Sequence, residues 1–322
     1  MKGHGGQLVA TLGPASLDAP ESLVAAGATS LRLNASHMSA AALRLAISRA
    51  RSTLPVVPMV VDLQGAKMRL GCFAARPLRQ GETISFSVHG DGLSVLPHPH
   101  PELVAWVSAG DTLSLDDDRI HLTITACSAQ SLDARVARGG ELRPRKGVNV
   151  LDHPVLLEDL GEADRSVCDT LGEIPGIEWA VSFVTDGHEA DWVRRRIPGA
   201  RVIGKVERAE ALRNIERIAS RVDQLWICRG DLGAQVGMAD LARFVSSFDP
   251  RPLPVGVLMA GQVFEHLTTH SEPTRSEVCH LHDLALRGYA GFVLSDETAV
   301  GVDPVRAVST ARALSDAFAS GG

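Results

Sequence analysis

Val202-Ile203-Gly204-Lys205-Val206-Glu207 and, further on, Gln224-Leu225-Trp226-Ile227-Cys228-Arg229-Gly230-Asp231 are apolar runs that close in alternating charged residues. In an extended strand, residues two apart point the same way. Lys205 and Glu207 therefore share one face, and Arg229 and Asp231 share another. A lysine and two carboxylates at the ends of buried strands suit a magnesium-assisted reaction on a phosphate or an enolate. Of the 32 lysines and arginines only Lys2, Lys67, Lys146 and Lys205 are lysine. Three of these fall inside motifs, so Lys205 is not a casual surface charge.

Outward from these two runs the same pattern recurs. Short β-rich runs occupy residues 7–13, 30–34, 56–64, 179–184, 202–207, 224–231, 255–261 and 291–296, with helical patterns at 41–53, 189–196, 208–220 and 274–287 between them. Alternation of this kind predicts a parallel sheet, and eight repeats predict an α/β fold closed as a (β/α)8 TIM barrel. Between the third and fourth runs the period changes to β-like alternation at 83–89, 112–115 and 120–127. Residues 1–70 and 148–322 are accordingly read as the barrel. Residues 71–147 are read as a small all-β lid inserted after strand three, on the loop that opens at the catalytic face.

In such barrels the chemistry sits at the carboxyl ends of the strands. Polar groups gather there at five of the eight: Arg32-Leu33-Asn34-Ala35-Ser36-His37, the stretch Asp62 to Arg69, Lys205 with Glu207, Arg229 with Asp231, and Ser295-Asp296-Glu297-Thr298. Glu207 and Asp231 suit a hard cation with oxygen ligands, and no histidine–cysteine cluster has zinc-ligand spacing. Arg32, Arg69 and Lys205 are groups that neutralise a transferring phosphoryl in a water-poor cleft. Thr11-Leu12-Gly13-Pro14-Ala15-Ser16 could shape a nucleotide pocket, although a plain strand-end turn accounts for it better. His98 and His100, in a proline-rich stretch, are expected on an exposed lid loop. Cys279, His280 and His282 are expected in surface or interface packing.

Composition excludes several classes. The 322 residues are 45% apolar and 22% charged, with a net charge of −6, which argues against nonspecific nucleic-acid or membrane-surface binding. No apolar run reaches the ~18 residues of a membrane span, and the start carries no apolar signal region. Five cysteines without a Cys-x-x-Cys pair fit reduced thiols in a cytoplasmic protein.

The order of motifs resembles the pyruvate kinase family. The matching segments are VATLGPAS (9–16), RLNASH (32–37), VDLQGAKMRLG (61–71), KGVNV (146–150), GKVE (204–207), RGDLG (229–233), PTRSEV (273–278) and LSDETAVG (294–301), spread over almost the entire chain. The resemblance implies transfer of phosphate between phosphoenolpyruvate and ADP, giving pyruvate and ATP. By matching position, it implies that Lys205 stabilises the transferring phosphoryl and the enolate oxygen, while Glu207 and Asp231 hold Mg²⁺ or Mn²⁺. Gly230, Asp231 and Ser295 would receive the substrate, with its carboxylate at the Gly230-Asp231 backbone. Arg32 and Arg69 would contact phosphates, and Pro14, Arg32, Asn34, His37 and Lys146 would serve the nucleotide. Potassium-requiring members place the ion among positions matching Asn34, Ser36, Asp62 and residue 63, with a glutamate where this chain has Lys67. Leu63, Gln64 and Lys67 resemble the potassium-independent branch, in which a tethered ammonium supplies the charge of K⁺.

The chain departs from the family pattern in three places. A further domain that follows the barrel in the family has no counterpart before Gly322, so a monomer or homodimer is expected rather than a tetramer. Gly261 stands where the family has a threonine linked to proton delivery at the pyruvate methyl carbon. Asp296 replaces a glycine near the same pocket. The last two leave alternatives open: a repurposed relative acting on another 2-oxo acid or enol phosphate, or a non-catalytic phosphoenolpyruvate or nucleotide sensor. The turn Asp116-Asp117-Asp118-Arg119 is family-like, and a plain hairpin turn explains it nearly as well.

Overall fold

The computed structural model describes residues 6–116, 118–153, 155 and 157–320. The chain forms two compact units, dividing after Gly65 and again before Asp159, so that Ala66–Glu158 is the smaller.

The larger unit is a closed barrel of eight parallel strands: β1 (Gln7–Thr11), β2 (Ser30–Asn34), β3 (Met59–Leu63), β4 (Ile177–Val181), β5 (Arg201–Val206), β6 (Gln224–Cys228), β7 (Gly256–Ala260) and β8 (Gly291–Leu294). Each pairs with its sequence neighbours, and β1 closes on β8. The barrel core follows from strand alternation. Val9, Val60, Ala180, Ile203, Trp226, Leu258 and Val293 form one buried apolar cluster. Two residues further along the same faces come Thr11, Asp62, Ser182 and Lys205 (with Cys228 and Ala260), so polar groups cap the apolar filling at the carboxyl ends. The helices Ala40–Thr53 and Arg275–Leu286 begin at Ser39 and Thr274, whose side-chain oxygens accept from Ala42 N and Glu277 N. Glu277 completes a capping box on the second.

Two expectations for the barrel are corrected. Strand six ends at Cys228, and Arg229–Val236 is a helix, so Arg229 and Asp231 lie in a first helical turn and not on one strand face. The helical pattern at 208–220 is two short helices, Ala209–Arg213 and Ile215–Ala219, because Asn214 (φ −110°, ψ 12°) leaves helical geometry.

The smaller unit holds a six-stranded sheet in the order Val148–Val150, Thr112–Leu115, Ile120–Cys127, Ser131–Arg138, Thr83–Ser87 and Val95–Pro97, with a separate ribbon pairing Gly140–Leu142 to Arg76–Leu78. Leu113, Ile120, Leu122, Ile124, Leu132, Ala134 and Val136 bury its inner face. His98 is fully buried and His100 half-buried, contrary to an exposed loop. The physical reason is that the proline-rich stretch opens the short helix Pro101–Trp106, and His100 Nε2 accepts from Arg69 N at 2.9 Å.

Candidate active site

The polar cap of the barrel is built around Asp62 at the end of β3. Burial alone would raise its carboxyl, but Lys205 and then Arg32 outweigh that and hold it below the usual carboxylate range. Lys205 Nζ lies 3.1 Å from both Asp62 carboxylate oxygens, donates to Ser182 Oγ at 2.8 Å, and lies 3.1 Å from Glu207 Oε1. Burial would strip the proton from such an ammonium. Asp62 and Glu207 reverse this and raise its pKa, so Lys205 is charged at any physiological pH.

Arg32, on β2, donates Nε to Asp62 Oδ2 at 2.9 Å and Nη1 to Thr11 Oγ1 at 2.9 Å, and Nη2 also reaches Asp62 Oδ2. Thr11 Oγ1 in turn donates to Leu294 O, tying β1 to β8 beneath the guanidinium. Glu207 follows β5 and is 2% exposed; its Oε2 accepts from Phe183 N at 2.9 Å. Phe183 has a left-handed backbone (φ 61°), uncommon outside glycine, which turns that N–H toward Glu207. Arg208 covers the Phe183 ring, its Cζ 5.3 Å from the ring centroid.

Strand β5 pairs with β6 through Val206↔Ile227, so Glu207 and the helix Arg229–Val236 leave neighbouring strands at the same end. Asp231 is half-buried in the first turn of that helix, and Gly230 is exposed there. Arg229 turns away to donate Nε and Nη2 to Gly261 O at 3.0 and 2.8 Å, fixing the exit of β7. Gly261 itself has φ +79°. After β8, Ser295 is half-buried and its N–H donates to Glu297 Oε2 at 2.7 Å, while Asp296 is exposed. Glu297 is fully buried and also accepts from Phe264 N. Asn34 lies in register with Asp62 and caps the turn Ala35–His37 through Ser36 N. His37 and Pro14 are exposed.

The structure thus brings together Arg32, Lys205 and Glu207. Arg69, Lys67 and Lys146 belong to the smaller unit. There Arg69 Nη1 donates to Arg145 O at 3.0 Å, and Lys146 Nζ meets Asp116 at 2.6 Å. The Asp116 turn joins Thr112–Leu115 to Ile120–Cys127, with Asp118 held by His121 at 2.6 Å; Asp117 lies outside the described residues.

Three residues at or behind this cap were missed in the sequence: Ser182, Thr11 as a partner of Arg32, and Asp164, whose carboxylate accepts from Gln64 N and Gly65 N at the exit of β3. Ser182 follows Ala180 by two residues and so shares its inward face, a signal that strand alternation carries. Asp164 gives no such signal, since it sits in an acidic helical stretch.

Glu207, buried beside the Lys205 ammonium, and Asp231, half-buried in the helical turn that leaves the neighbouring strand, offer the oxygen-only donors that suit a magnesium ion. A different group, Asp186, His188 and Glu189, is also close enough to hold a metal. Its acceptors are engaged otherwise: Glu189 takes Thr185 N and Oγ1 and Gly187 N, and Asp186 takes His188 Nδ1 and Arg217. These bonds account for it as support for the start of the helix Glu189–Arg196.

A (β/α)8 barrel with a buried lysine, two carboxylates and an arginine at its carboxyl end has the charge set of a barrel enzyme acting on phosphates or enolates. Residues 4–308 match the family model of the pyruvate kinase barrel domain. Similar proteins include the pyruvate kinases of Methylorubrum extorquens (34% identity, covering 96% of this chain and 68% of that protein) and Mycobacterium tuberculosis (32%, 95% and 68%). Pyruvate kinase II of Salmonella typhimurium is 32% identical, over 94% of this chain and 68% of that protein. The chain belongs to the pyruvate kinase family and spans about two thirds of the length of these relatives.

Proposed function

We propose that the chain transfers the phosphoryl group of phosphoenolpyruvate to ADP, with Mg²⁺ or Mn²⁺, giving pyruvate and ATP. The observation that carries this reading is the buried, permanently charged Lys205 ammonium clamped by Asp62, Ser182 and Glu207. A mere binder has no need of a preorganised charge of this kind, because its value lies in stabilising charge that develops in the transition state.

Lys205 stabilises the transferring phosphoryl and the enolate oxygen, at no reorganisation cost because its position is already fixed by three partners. Arg32, anchored on Asp62 and Thr11, adds a second fixed positive charge. Glu207 and Asp231 would hold the divalent ion, which when bound would supply further neutralisation of phosphate charge. The N–H groups at the start of the helix Arg229–Val236, around Gly230 and Asp231, receive the substrate carboxylate, with Ser295 alongside. Pro14, Asn34, His37 and Lys146 serve the nucleotide, and Arg69 a phosphate.

Lys67 stands in for a monovalent cation, so activity does not require K⁺; Leu63 and Gln64 accompany it in the sequence and support this. Pyruvate formation from phosphoenolpyruvate and ADP with Mg²⁺, measured beside solvent-deuterium incorporation into pyruvate, tests the reading. Transfer accompanied by incorporation is expected. Incorporation without transfer would point to another enol substrate, and neither, with ligand still bound, to a sensor.

A further inference from the structure

Asp164 lies in the helix Glu162–Leu171 and is 3% exposed. Its two carboxylate oxygens take adjacent backbone donors at the exit of β3: Gln64 N reaches Oδ1 at 3.1 Å and Gly65 N reaches Oδ2 at 2.7 Å. Nothing in a barrel strand end demands this, since water commonly satisfies such groups. A buried carboxylate spent on two consecutive N–H groups fixes the chain direction there.

Gly65 shows what that direction serves. Its φ is +59°, and a Cβ at this position would overlap the Ser182 carbonyl oxygen and lie 2.7 Å from the Ser182 nitrogen. The β3 exit is therefore seated directly on the backbone of Ser182. Ser182 Oγ donates to Leu63 O at 2.9 Å, lies 3.3 Å from Asp62 Oδ1, and accepts from Lys205 Nζ at 2.8 Å. A continuous run of short contacts leads from the helix through the turn to the ammonium.

We infer that Asp164 is a positioning residue for Lys205, acting through the Gln64–Gly65 turn and Ser182. This rests on the reading of Lys205 as the group that stabilises the transferring phosphoryl. Asp164 itself touches no reacting atom. Its carboxylate keeps the turn pressed against Ser182, so that the serine hydroxyl and both Asp62 oxygens meet the ammonium together. With one acceptor removed, the turn is free to relax and the ammonium gains alternative positions.

The test is Asp164→Asn in the full chain, which keeps the shape and removes one of the two acceptors, measured for pyruvate formation and for amide hydrogen exchange. The expected result is a kcat lowered about tenfold with KM for phosphoenolpyruvate within about twofold, as a transition-state effect requires. Exchange should quicken together at Gln64–Gly65 and at Ser182–Phe183. Ser182→Ala, which leaves the Asp164 bonds intact, should lower kcat similarly, and the double variant should lose no more than about twofold beyond either single one. A kcat for Asp164→Asn within twofold of wild type, multiplying losses, or quickened exchange confined to Gln64–Gly65 would each overturn the inference. An inactive wild-type chain would instead overturn the phosphotransfer reading, and exchange at Ser182–Phe183 would still decide the coupling.

Discussion

Lys205 Nζ sits 3.1 Å from each of the two carboxylate oxygens of Asp62, although the residues come from non-adjacent strands of the barrel. Ser182, directly after the intervening strand β4, bonds to both. Three strands thus close on one ammonium, and Arg32 from β2 shares the same carboxylate. Asp62 is the hub: it balances two buried cations, and its lowered pKa keeps it ionised.

Asp62→Asn should therefore be among the most damaging substitutions in the barrel. Removing one partner of a buried ion pair leaves uncompensated charge and costs about 3–5 kcal/mol. Urea unfolding at neutral pH would show the loss, and pyruvate formation should fall with it. Because the folded-state pKa of Asp62 is depressed, the stability it contributes is complete above the ordinary carboxylate range. It disappears as pH falls through the lower folded-state value. A change below about 1 kcal/mol would mean that the pairing is not a net source of stability.

Asp164 behaves in the opposite sense. Burial pushes its carboxyl up to about 6 from an ordinary 3.8, despite the bonds from Gly65 and Gln64, and Asp62 pushes the same way. The folded protein then keeps a proton that the unfolded chain has released. The stability linked to this group is greatest below about 4 and declines as pH rises to about 6, by on the order of 2–3 kcal/mol. Asp164→Asn removes that dependence. Its melting temperature relative to wild type should rise between pH 5 and pH 8, and a constant difference would show that Asp164 titrates normally.

Much of this site was legible in the sequence, for a definite reason. Lys205 and Glu207 end an apolar run, and the strand rule alone places them at the carboxyl end of a barrel stave. Asp62 and Arg32 were legible in the same way. What was not legible is contact at long range: Asp164 bonds to residues about a hundred positions earlier, and nothing in its own helix announces them. The helix at Arg229 escaped because Cys228 precedes it with no capping side chain, so the apolar run reads on as strand. The left-handed Phe183 escaped because local sequence favours no such backbone there.

Independence from potassium is a separate matter with its own measurement. Activity in a sodium-free, non-coordinating buffer should change less than about twofold on adding KCl, as the role proposed for the Lys67 ammonium requires. Lys67→Glu should lower activity and introduce partial rescue by KCl. Tenfold or greater activation of the wild type by KCl would contradict the role given to Lys67.

Gly261 gives a prediction about backbone shape. Space exists for a Cβ, whose nearest neighbours would be Gly230 N at 3.5 Å and Arg229 N at 3.7 Å, yet φ is +79°. Gly261→Ala should cost about 1 kcal/mol through backbone strain rather than collision. Denaturant unfolding would register it, and an unchanged midpoint would show that the β7 exit shifts readily.

The most direct measurement compares wild type and Lys205→Met for pyruvate formation from phosphoenolpyruvate and ADP with Mg²⁺, alongside nucleotide affinity. Wild type should form pyruvate, and the variant should lose at least about 10²–10³-fold in rate, the scale of a preorganised electrostatic group, with nucleotide affinity little changed. A variant that keeps its rate, or that loses only nucleotide binding, would contradict the role assigned to the buried ammonium.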